Sequence, residues 1–435
     1  MNYDYDICFI GGGLNYAGAV VAEKGGLKTL LVEKDLGRLG GTCLHNGCIP
    51  SKMFLHYAEA VLRSRTGPFK SEAKLDMEAL YIKKEQIVAD STAAIRRQCK
   101  GVDLMEDEAA LVAPHTIRTS KGEITARYIV IGTGSRPFIP EGIEYDKESV
   151  ITSDEVLNMR TLPDSITIYG DGAIGLEMAS FFASAGVRTE LVWRREKLLG
   201  TAHPLISEGI ASQLERIGVT LVPSRSIVRA AATEKRGVHI LFEDGSEHYT
   251  KRLLVATGRR ADRSFLKCES IKLYKKGIEV DENFETSLPG HYAVGDCNGV
   301  LQLAHAARAQ VLFVVNRILG RRPESVDLGR VVKFIHTLPM SYAQVGDVTK
   351  NRSAVVPLRG WPYARIHDAE EGAVIIYEDR EGFVSGAQIL APNAEELIST
   401  VATALAAEAD ASLCRRTILA HPTFSEIVEK GFYRL

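Results

Sequence analysis

The chain carries the same arrangement twice: a short apolar strand, a glycine turn, a helix and a second strand. The first copy begins YDICFIGGG and ends with the strand KTLLVE; the second begins SITIYGDGAIG and ends with VRTELVW. Strands joined through such a helix form a parallel βαβ unit. We therefore predict an α/β fold with two Rossmann-like dinucleotide-binding domains, the second inserted into the first.

The remaining segments set the expected domain limits. After the second copy, the strand LLVATGRRAD leads back towards the first domain, and from about residue 331 short alternating strands precede the helical run PNAEELISTVATALAAEA. We expect four parts: 1–150, the first domain; 151–265, the inserted domain; 266–330, the return to the first; and 331–435, a separate C-terminal α+β domain.

Composition limits the partners. The 435 residues include 53 basic and 55 acidic side chains, so neither nucleic acid nor an anionic membrane is expected as the main partner. Asp4 and Asp6 precede an apolar run of only four residues, which is unlike a signal peptide. We expect a cytoplasmic protein without a membrane-spanning segment.

In the second copy, Gly170, Gly172 and Gly175 match GxGxxG between a strand and a helix. Such glycines let the backbone approach a pyrophosphate at the helix N-terminus. The next strand ends with Trp193, Arg194 and Arg195 instead of an acidic residue. Two cations without a carboxylate favour a 2′-phosphate, hence NADPH, although adjacent arginines also occur as solvated surface charges.

The first copy is less regular. Gly11 and Gly13 are present, but Tyr16 stands at the third glycine position; Gly18 could still permit close helix packing. Glu33 follows at the spacing of an acid that holds a ribose hydroxyl, and the alternative is an ordinary charge at a strand end.

The segment GGTCLHNGCIPSK holds Cys43 and Cys48. A zinc site needs four ligands, and no second cysteine or histidine pair lies nearby, so we predict no metal. A passive disulfide is unusual in the cytoplasm. Two dinucleotide sites beside a close cysteine pair indicate that a hydride from NAD(P)H passes to a flavin and leaves through a disulfide.

Several motifs together carry a family resemblance. GGTCLHNGCIPSK, the ATG turn at 256–258, TSLPGHYAVGDCNG and HPTFSE occur in this order along nearly the whole chain. The sequence resembles the class I FAD-dependent pyridine nucleotide-disulfide oxidoreductases, which include dihydrolipoamide dehydrogenase, glutathione reductase and mercuric reductase. The resemblance implies that the first domain binds FAD, the inserted domain NAD(P)H, and the C-terminal domain a second subunit.

The resemblance also assigns roles at the redox centre. Cys43 would exchange with the substrate disulfide, and Cys48, at a helix N-terminus, would be the thiolate facing the flavin. Lys52 would lie near flavin N5 and pair with Glu177; the alternative for Lys52 is an ordinary surface lysine.

The closing motif supplies an acid–base pair. His421, oriented by Glu426, would serve the other subunit of a homodimer, whereas a lone histidine beside proline is usually structural. Asp296 would bind ribityl hydroxyls, or cap the next helix. The expected FAD residues are Gly11, Gly13, Glu33, Lys34, Thr42, Gly134, Gly295 and Asp296, and the NAD(P)H residues are Gly170, Gly172, Gly175, Arg194, Arg195 and Gly258.

Within this family, CIPSK, LAHAARA and LAHPTFSE look most like dihydrolipoamide dehydrogenase, whereas Trp193 and Arg194 resemble the NADPH-using glutathione reductases. No cysteine follows Cys414, which disfavours mercuric and large thioredoxin reductases. We predict an NADPH-dependent reductase of a small or protein-bound disulfide, lipoyl or glutathione-like. Alternatives are an NAD-dependent dihydrolipoyl dehydrogenase serving a 2-oxoacid dehydrogenase or glycine-cleavage complex, and a non-catalytic redox-sensing flavoprotein.

Overall fold

The computed structural model describes residues 2–234, 237–349 and 352–435. It divides into two compact units, each assembled from separated stretches of the chain. Unit 1 comprises Met1–Pro50, Tyr81–Phe138 and Gly258–Leu328, and unit 2 comprises Ser51–Leu80, Ile139–Thr257 and Gly329–Leu435. The four-part division expected from the sequence stays a prediction.

The α/β composition follows from the elements in chain order. The strands are β1 (Tyr5–Ile10), β2 (Thr29–Glu33), β3 (Asp103–Glu106), β4 (Ala110–Ala113), β5 (Thr116–Thr119), β6 (Gly122–Ile131), β7 (Ser135–Pro137), β8 (Val150–Ile151), β9 (Ser165–Tyr169), β10 (Arg188–Val192), β11 (Val219–Val222), β12 (Ile227–Thr233), β13 (Gly237–Phe242), β14 (Glu247–Thr250), β15 (Arg252–Val255), β16 (Arg259–Ala261), β17 (His291–Ala293), β18 (Lys333–Ile335), β19 (Ser341–Gly346), β20 (Arg352–Pro357), β21 (Ala373–Glu378) and β22 (Val384–Ala391).

The helices are α1 (Asn15–Lys24), α2 (Gly41–His45), α3 (Cys48–Thr66), α4 (Met77–Gln98), α5 (Ser153–Val156), α6 (Ala173–Ser184), α7 (Pro204–Arg216), α8 (Ala304–Ile318), α9 (Pro362–Ile366), α10 (Ala394–Ala406), α11 (Ala411–Cys414) and α12 (Ser425–Arg434).

Unit 1 is built on a parallel sheet in the order β3–β2–β1–β6, with β17 also parallel to β6. β4 and β5 extend the far edge as antiparallel strands. Residues 7–10 of β1 are buried on both faces of the sheet, as a central parallel strand requires. The first predicted βαβ unit is therefore β1–α1–β2.

Unit 2 contains the second βαβ unit, β9–α6–β10, in a parallel sheet of order β11–β10–β9–β15–β8. Its C-terminal part is an antiparallel sheet in the order β18–β19–β22–β21–β20, against which α10 and α12 pack. The predicted fold class, two dinucleotide-binding folds with a C-terminal α+β domain, is confirmed.

Among residues 2–234, 237–349 and 352–435, no helix combines the length and the apolar composition that crossing a bilayer requires.

Candidate functional site

The first glycine turn joins β1 to α1 and holds a carboxylate. The backbone N–H of Gly12 donates to Oε2 of Glu33 at 2.6 Å, which places this acid from the end of β2 beside the turn. Gly11 has φ +95°, and a Cβ there would lie 2.5 Å from the carbonyl oxygen of Gly132. A Cβ on Gly13 would meet nothing within 4 Å, so the backbone is open to a ligand at that point.

Gly18 provides the close helix packing that the missing third glycine usually provides. A Cβ on Gly18 would lie 3.1 Å from the ring of Phe9 and would collide with Val311 of α8. Tyr16 is only half-buried and packs at the edge of the apolar cluster around α1. The irregular motif therefore still brings α1 against β1.

A half-buried carboxylate follows β17 in the same unit. Asp296 accepts a hydrogen bond at 2.6 Å from the Ser135 hydroxyl, and Nε of Arg259 donates to that hydroxyl oxygen at 2.8 Å. Burial raises the pKa of Asp296, while Ser135 and Arg259 oppose that rise. A carboxylate in this setting suits ligand hydroxyl groups, so Glu33 and Asp296 fit the ribose and ribityl hydroxyls of FAD.

The other residues expected at FAD also belong to unit 1. Lys34 and Thr42 are exposed, and a Cβ at Gly134, where φ is +74°, would meet nothing within 4 Å. Gly258, expected at NAD(P)H, also falls in unit 1, where its carbonyl accepts the N–H of Phe138 at 2.9 Å. The assignment of Gly258 to NAD(P)H stays a prediction.

The segment that carries Cys43 and Cys48 lies against the first glycine turn. Gly40 and Gly41 both have positive φ, +96° and +62°, and a Cβ on Gly41 would lie 2.9 Å from Cα of Gly13. Cys43 is half-buried in the short helix α2, and Cys48, exposed, is the first residue of α3. The N-terminal end of a 19-residue helix favours the thiolate form of a cysteine at that position.

The second glycine turn joins β9 to α6 in unit 2. Gly170 has φ +127°, and a side chain there would collide with the carbonyl of Ala256; a Cβ on Gly175 would collide with the carbonyl of Gly170. Gly172, at the N-terminus of α6, has open space beside it. Two glycines are thus needed for packing and one leaves room for a pyrophosphate at the helix end.

The end of β10 separates Trp193 from the two arginines that follow it. Trp193 is 4% exposed and belongs to the core of unit 2, so it fills the core and does not stack on a bound nucleotide. Arg194 and Arg195 are exposed. The N–H of Arg225 donates to the carbonyl of Trp193 at 2.9 Å, and that of Ser224 donates to Arg195 at 3.1 Å. The backbone carrying both cations is therefore fixed.

Lys52 and Glu177 form an ion pair. Nζ of Lys52 lies 2.5 Å from Oε1 of Glu177, with 29% and 9% of the side chains exposed. The same oxygen accepts the backbone N–H of His336 at 3.0 Å, and the ammonium lies 5.1 Å from the ring centroid of Phe334. Lys52 is therefore not an ordinary surface lysine.

His421 and Glu426 also meet. Nδ1 of His421 lies 2.9 Å from Oε1 of Glu426, and the N–H of Thr423 donates to Oε2 at 3.0 Å. The hydrogen bond with His421 lowers the pKa of Glu426. An ionised carboxylate accepts a hydrogen bond from the N–H at Nδ1, so the other ring nitrogen of a neutral imidazole, Nε2, is available as a base. The side chain of His421 is 79% exposed.

The polar partners Ser135, Arg259 and His336 were not among the site residues expected from the sequence. Ser135 and Arg259 each follow a glycine that was expected at a nucleotide, so adjacency was a usable signal. His336 contributes through its backbone, for which the side-chain pattern gives no signal.

Comparison with known proteins agrees with this geometry. Residues 5–310 match the pyridine nucleotide-disulphide oxidoreductase family, and residues 345–431 match its dimerisation domain, which supports the expected homodimer. The chain is 31% identical to dihydrolipoyl dehydrogenase of Bacillus subtilis, with 98% of this chain and 97% of the relative aligned. It is 30% identical to dihydrolipoyl dehydrogenase 2, chloroplastic, of Arabidopsis thaliana, covering 99% and 82%.

Solved structures share the fold. The HOCl-induced flavoprotein disulfide reductase RclA from Escherichia coli, in its Cu(II) complex, superimposes with a TM-score of 0.89 at 24% identity, over 100% of this chain and 99% of that one. LpdA from Mycobacterium tuberculosis also gives 0.89 at 24% identity, over 98% and 99%.

Proposed function

Because the chain belongs to the pyridine nucleotide-disulphide oxidoreductases and is a FAD-dependent disulfide oxidoreductase, we propose that it uses NADPH to reduce a substrate disulfide through Cys43 and Cys48. The observation that supports NADPH is the exposed pair Arg194 and Arg195 on the fixed backbone after β10. The observation that supports the cysteine couple is the position of Cys48 at the start of α3.

FAD would be held in unit 1 by the open turn at Gly13 and by the carboxylates of Glu33 and Asp296. When bound, it supplies a two-electron relay between the nicotinamide and the cysteine pair. The open end of α6 at Gly172 would receive the pyrophosphate of NADPH, and Arg194 and Arg195 its 2′-phosphate.

The substrate step is thiol–disulfide exchange. The Cys43 thiolate attacks one substrate sulfur, the substrate S–S bond breaks, and the released thiolate takes a proton from His421 of the partner subunit. Cys48 then attacks the Cys43 sulfur, which releases the second substrate thiol and closes a Cys43–Cys48 disulfide. The two electrons of NADPH reopen that disulfide. The net reaction consumes NADPH, one proton and a disulfide, and yields NADP⁺ and two thiols.

The opposite direction is the second candidate. The curated relatives at 30% and 31% identity are dihydrolipoyl dehydrogenases, and CIPSK and LAHPTFSE resemble that branch of the family. Under this alternative, the same cysteine pair would oxidise a dihydrolipoyl group with NAD⁺. NAD⁺ has no 2′-phosphate, so under this alternative the two exposed arginines after β10 would have no phosphate of the cofactor to bind. For this reason we favour NADPH.

Anaerobic reduction of the flavin by NADPH and by NADH tests the choice. Each of Arg194→Gln and Arg195→Gln should weaken NADPH binding about tenfold through loss of a charge-assisted phosphate contact, and leave NADH unchanged. Arg188→Gln is the matched control, since Arg188 is an exposed arginine at the start of the same strand. Faster reduction of the wild type by NADH, with no change in either variant, would refute the NADPH proposal.

A second substitution tests catalysis against redox sensing. Cys43→Ser should abolish disulfide reduction while NADPH still reduces the flavin, because Cys43 acts on the substrate side of the couple. A purely sensing flavoprotein would show no disulfide turnover in the wild type either.

A further inference from the structure

The Lys52–Glu177 pair continues into a second set of polar contacts that the exchange mechanism does not use. His336 donates its backbone N–H to Oε1 of Glu177, and Nδ1 of its ring lies 3.4 Å from Oε1 of Glu395. The His336 and Glu395 side chains are 23% and 18% exposed, so both are largely shielded from water. All four residues belong to unit 2, although they come from α3, α6, the loop after β18 and α10.

Glu395 is a fixed anion. It lies in the first turn of α10, where the helix dipole favours a carboxylate, and its second oxygen accepts the hydroxyl of Ser341. The Ser341 oxygen in turn accepts the N–H of Ala394 at 3.2 Å. Burial alone would raise the pKa of Glu395, but hydrogen bonds from His336 and Ser341 lower it to about 2. The carboxylate therefore stays ionised at physiological pH.

This anion orients His336. The carboxylate of Glu395 contacts the imidazole ring of His336. The backbone N–H of His336 donates to Oε1 of Glu177, the oxygen that also pairs with Nζ of Lys52. One oxygen thus receives two donors, so the rotamer of Glu177 depends on both. His336 thus contacts the carboxylates of both Glu177 and Glu395, and Glu177 in turn contacts the ammonium of Lys52.

We propose that His336 and Glu395 are positioning residues for the Lys52–Glu177 pair, and that they affect reduction of the flavin by the nicotinamide but not thiol–disulfide exchange. This inference rests on the proposed function, and on the family resemblance, which implies that Lys52 lies near flavin N5 and pairs with Glu177. A purely architectural role for Glu395 would instead stabilise the C-terminal sheet and affect both half-reactions equally.

Glu395→Gln removes the charge and keeps the size of the side chain. We expect flavin reduction by the preferred nicotinamide to slow about fivefold, a fraction of the effect of losing a charged hydrogen bond. Glu396→Gln is the matched control, because Glu396 is the neighbouring acid in the same helical turn and is exposed. Titration with dithiothreitol, which reduces the cysteine pair directly, should give the same long-wavelength thiolate-to-flavin band in both variants as in the wild type.

A double-mutant cycle separates positioning from architecture. If Glu395 acts through Glu177, Glu395→Gln should have no further effect on flavin reduction in a Glu177→Gln background. Additive effects, or an altered dithiothreitol-induced band in Glu395→Gln, would overturn the proposal. If Glu395→Gln does not fold, Ser341→Ala removes one anchor of the same carboxylate and should slow flavin reduction in the same direction; an unchanged rate would overturn the proposal. A wild type reduced by neither nicotinamide would instead overturn the proposed function.

Discussion

Replacing Glu177 by glutamine isolates the charge of its ion pair. Gln has nearly the same shape and can still accept the N–H of His336, which lies 3.0 Å from Oε1. It cannot neutralise Lys52, whose Nζ lies 2.5 Å from the same oxygen. Breaking a fully buried pair costs about 3–5 kcal/mol, whereas an exposed pair contributes about 0–1 kcal/mol. With side chains 29% and 9% exposed, the pair lies between these limits, and we expect a loss of roughly 2 kcal/mol.

Urea unfolding of the flavin-loaded protein measures this loss. The matched control is Glu59→Gln, which breaks the Glu59–Arg63 pair on α3 at a similar distance, 2.6 Å, but with 24% and 63% of the side chains exposed. That variant should lose less than about 0.5 kcal/mol. Flavin reduction should slow in Glu177→Gln and stay unchanged in the control. Equal losses of stability in the two variants would refute the argument that burial sets the strength of the Lys52 pair.

Three further outcomes follow from packing, burial and charge. In the flavin-free protein, Gly18→Val should lower the free energy of unfolding in urea by about 1–3 kcal/mol, because its side chain would enter the space of Val311 and Phe9. Gly13→Ala, with open space, should keep full stability under the same flavin-free conditions. Asp296→Asn should purify with less bound flavin, read from the ratio of visible to ultraviolet absorbance, because one of two half-buried acceptor oxygens is replaced by a donor; a full flavin content would contradict this. Burial lowers the pKa of His291 from 6.5 to about 4, so the unfolded state binds more protons between these values; stability should fall by roughly 3 kcal/mol as pH drops from 6.5 to 4. His291→Gln should flatten that dependence in urea titrations at several pH values, and an unchanged slope would contradict it.

Local periodicity explains what could be predicted. The strand, glycine turn and helix of each βαβ unit lie within about thirty residues, so the sequence carries the whole pattern. Lys52 follows Cys48 by one helical turn, and Glu177 follows Gly175 on α6, so their motifs indicated both positions. The structure then brings the two charges together across 125 residues of chain.

Contacts made by backbone groups, or between distant parts of the chain, could not be predicted in this way. His336 reaches Glu177 across 159 residues with an N–H that any non-proline residue would carry. Its pairing with Glu395 depends on where β18 and α10 lie in the folded C-terminal sheet. Neither residue occupies a motif, so only the tertiary structure connects them to Lys52.

At the end of β10, the sequence pattern does not show which side chains point into the core, because the strand lies in a buried parallel sheet. On a strand with one solvent-exposed face, the alternation of apolar and polar residues would show which of two adjacent side chains points outward. Here 191–193 are all buried, so alternation gives no direction for Trp193 or for the arginine after it. The path of the backbone after β10 is fixed instead by hydrogen bonds. The backbone N–H groups of Ser224 and Arg225 donate to the carbonyls of Arg195 and Trp193, respectively. Since Trp193 lies in the core, any preference for NADPH at this strand end has to come from the exposed cations and not from stacking on the adenine.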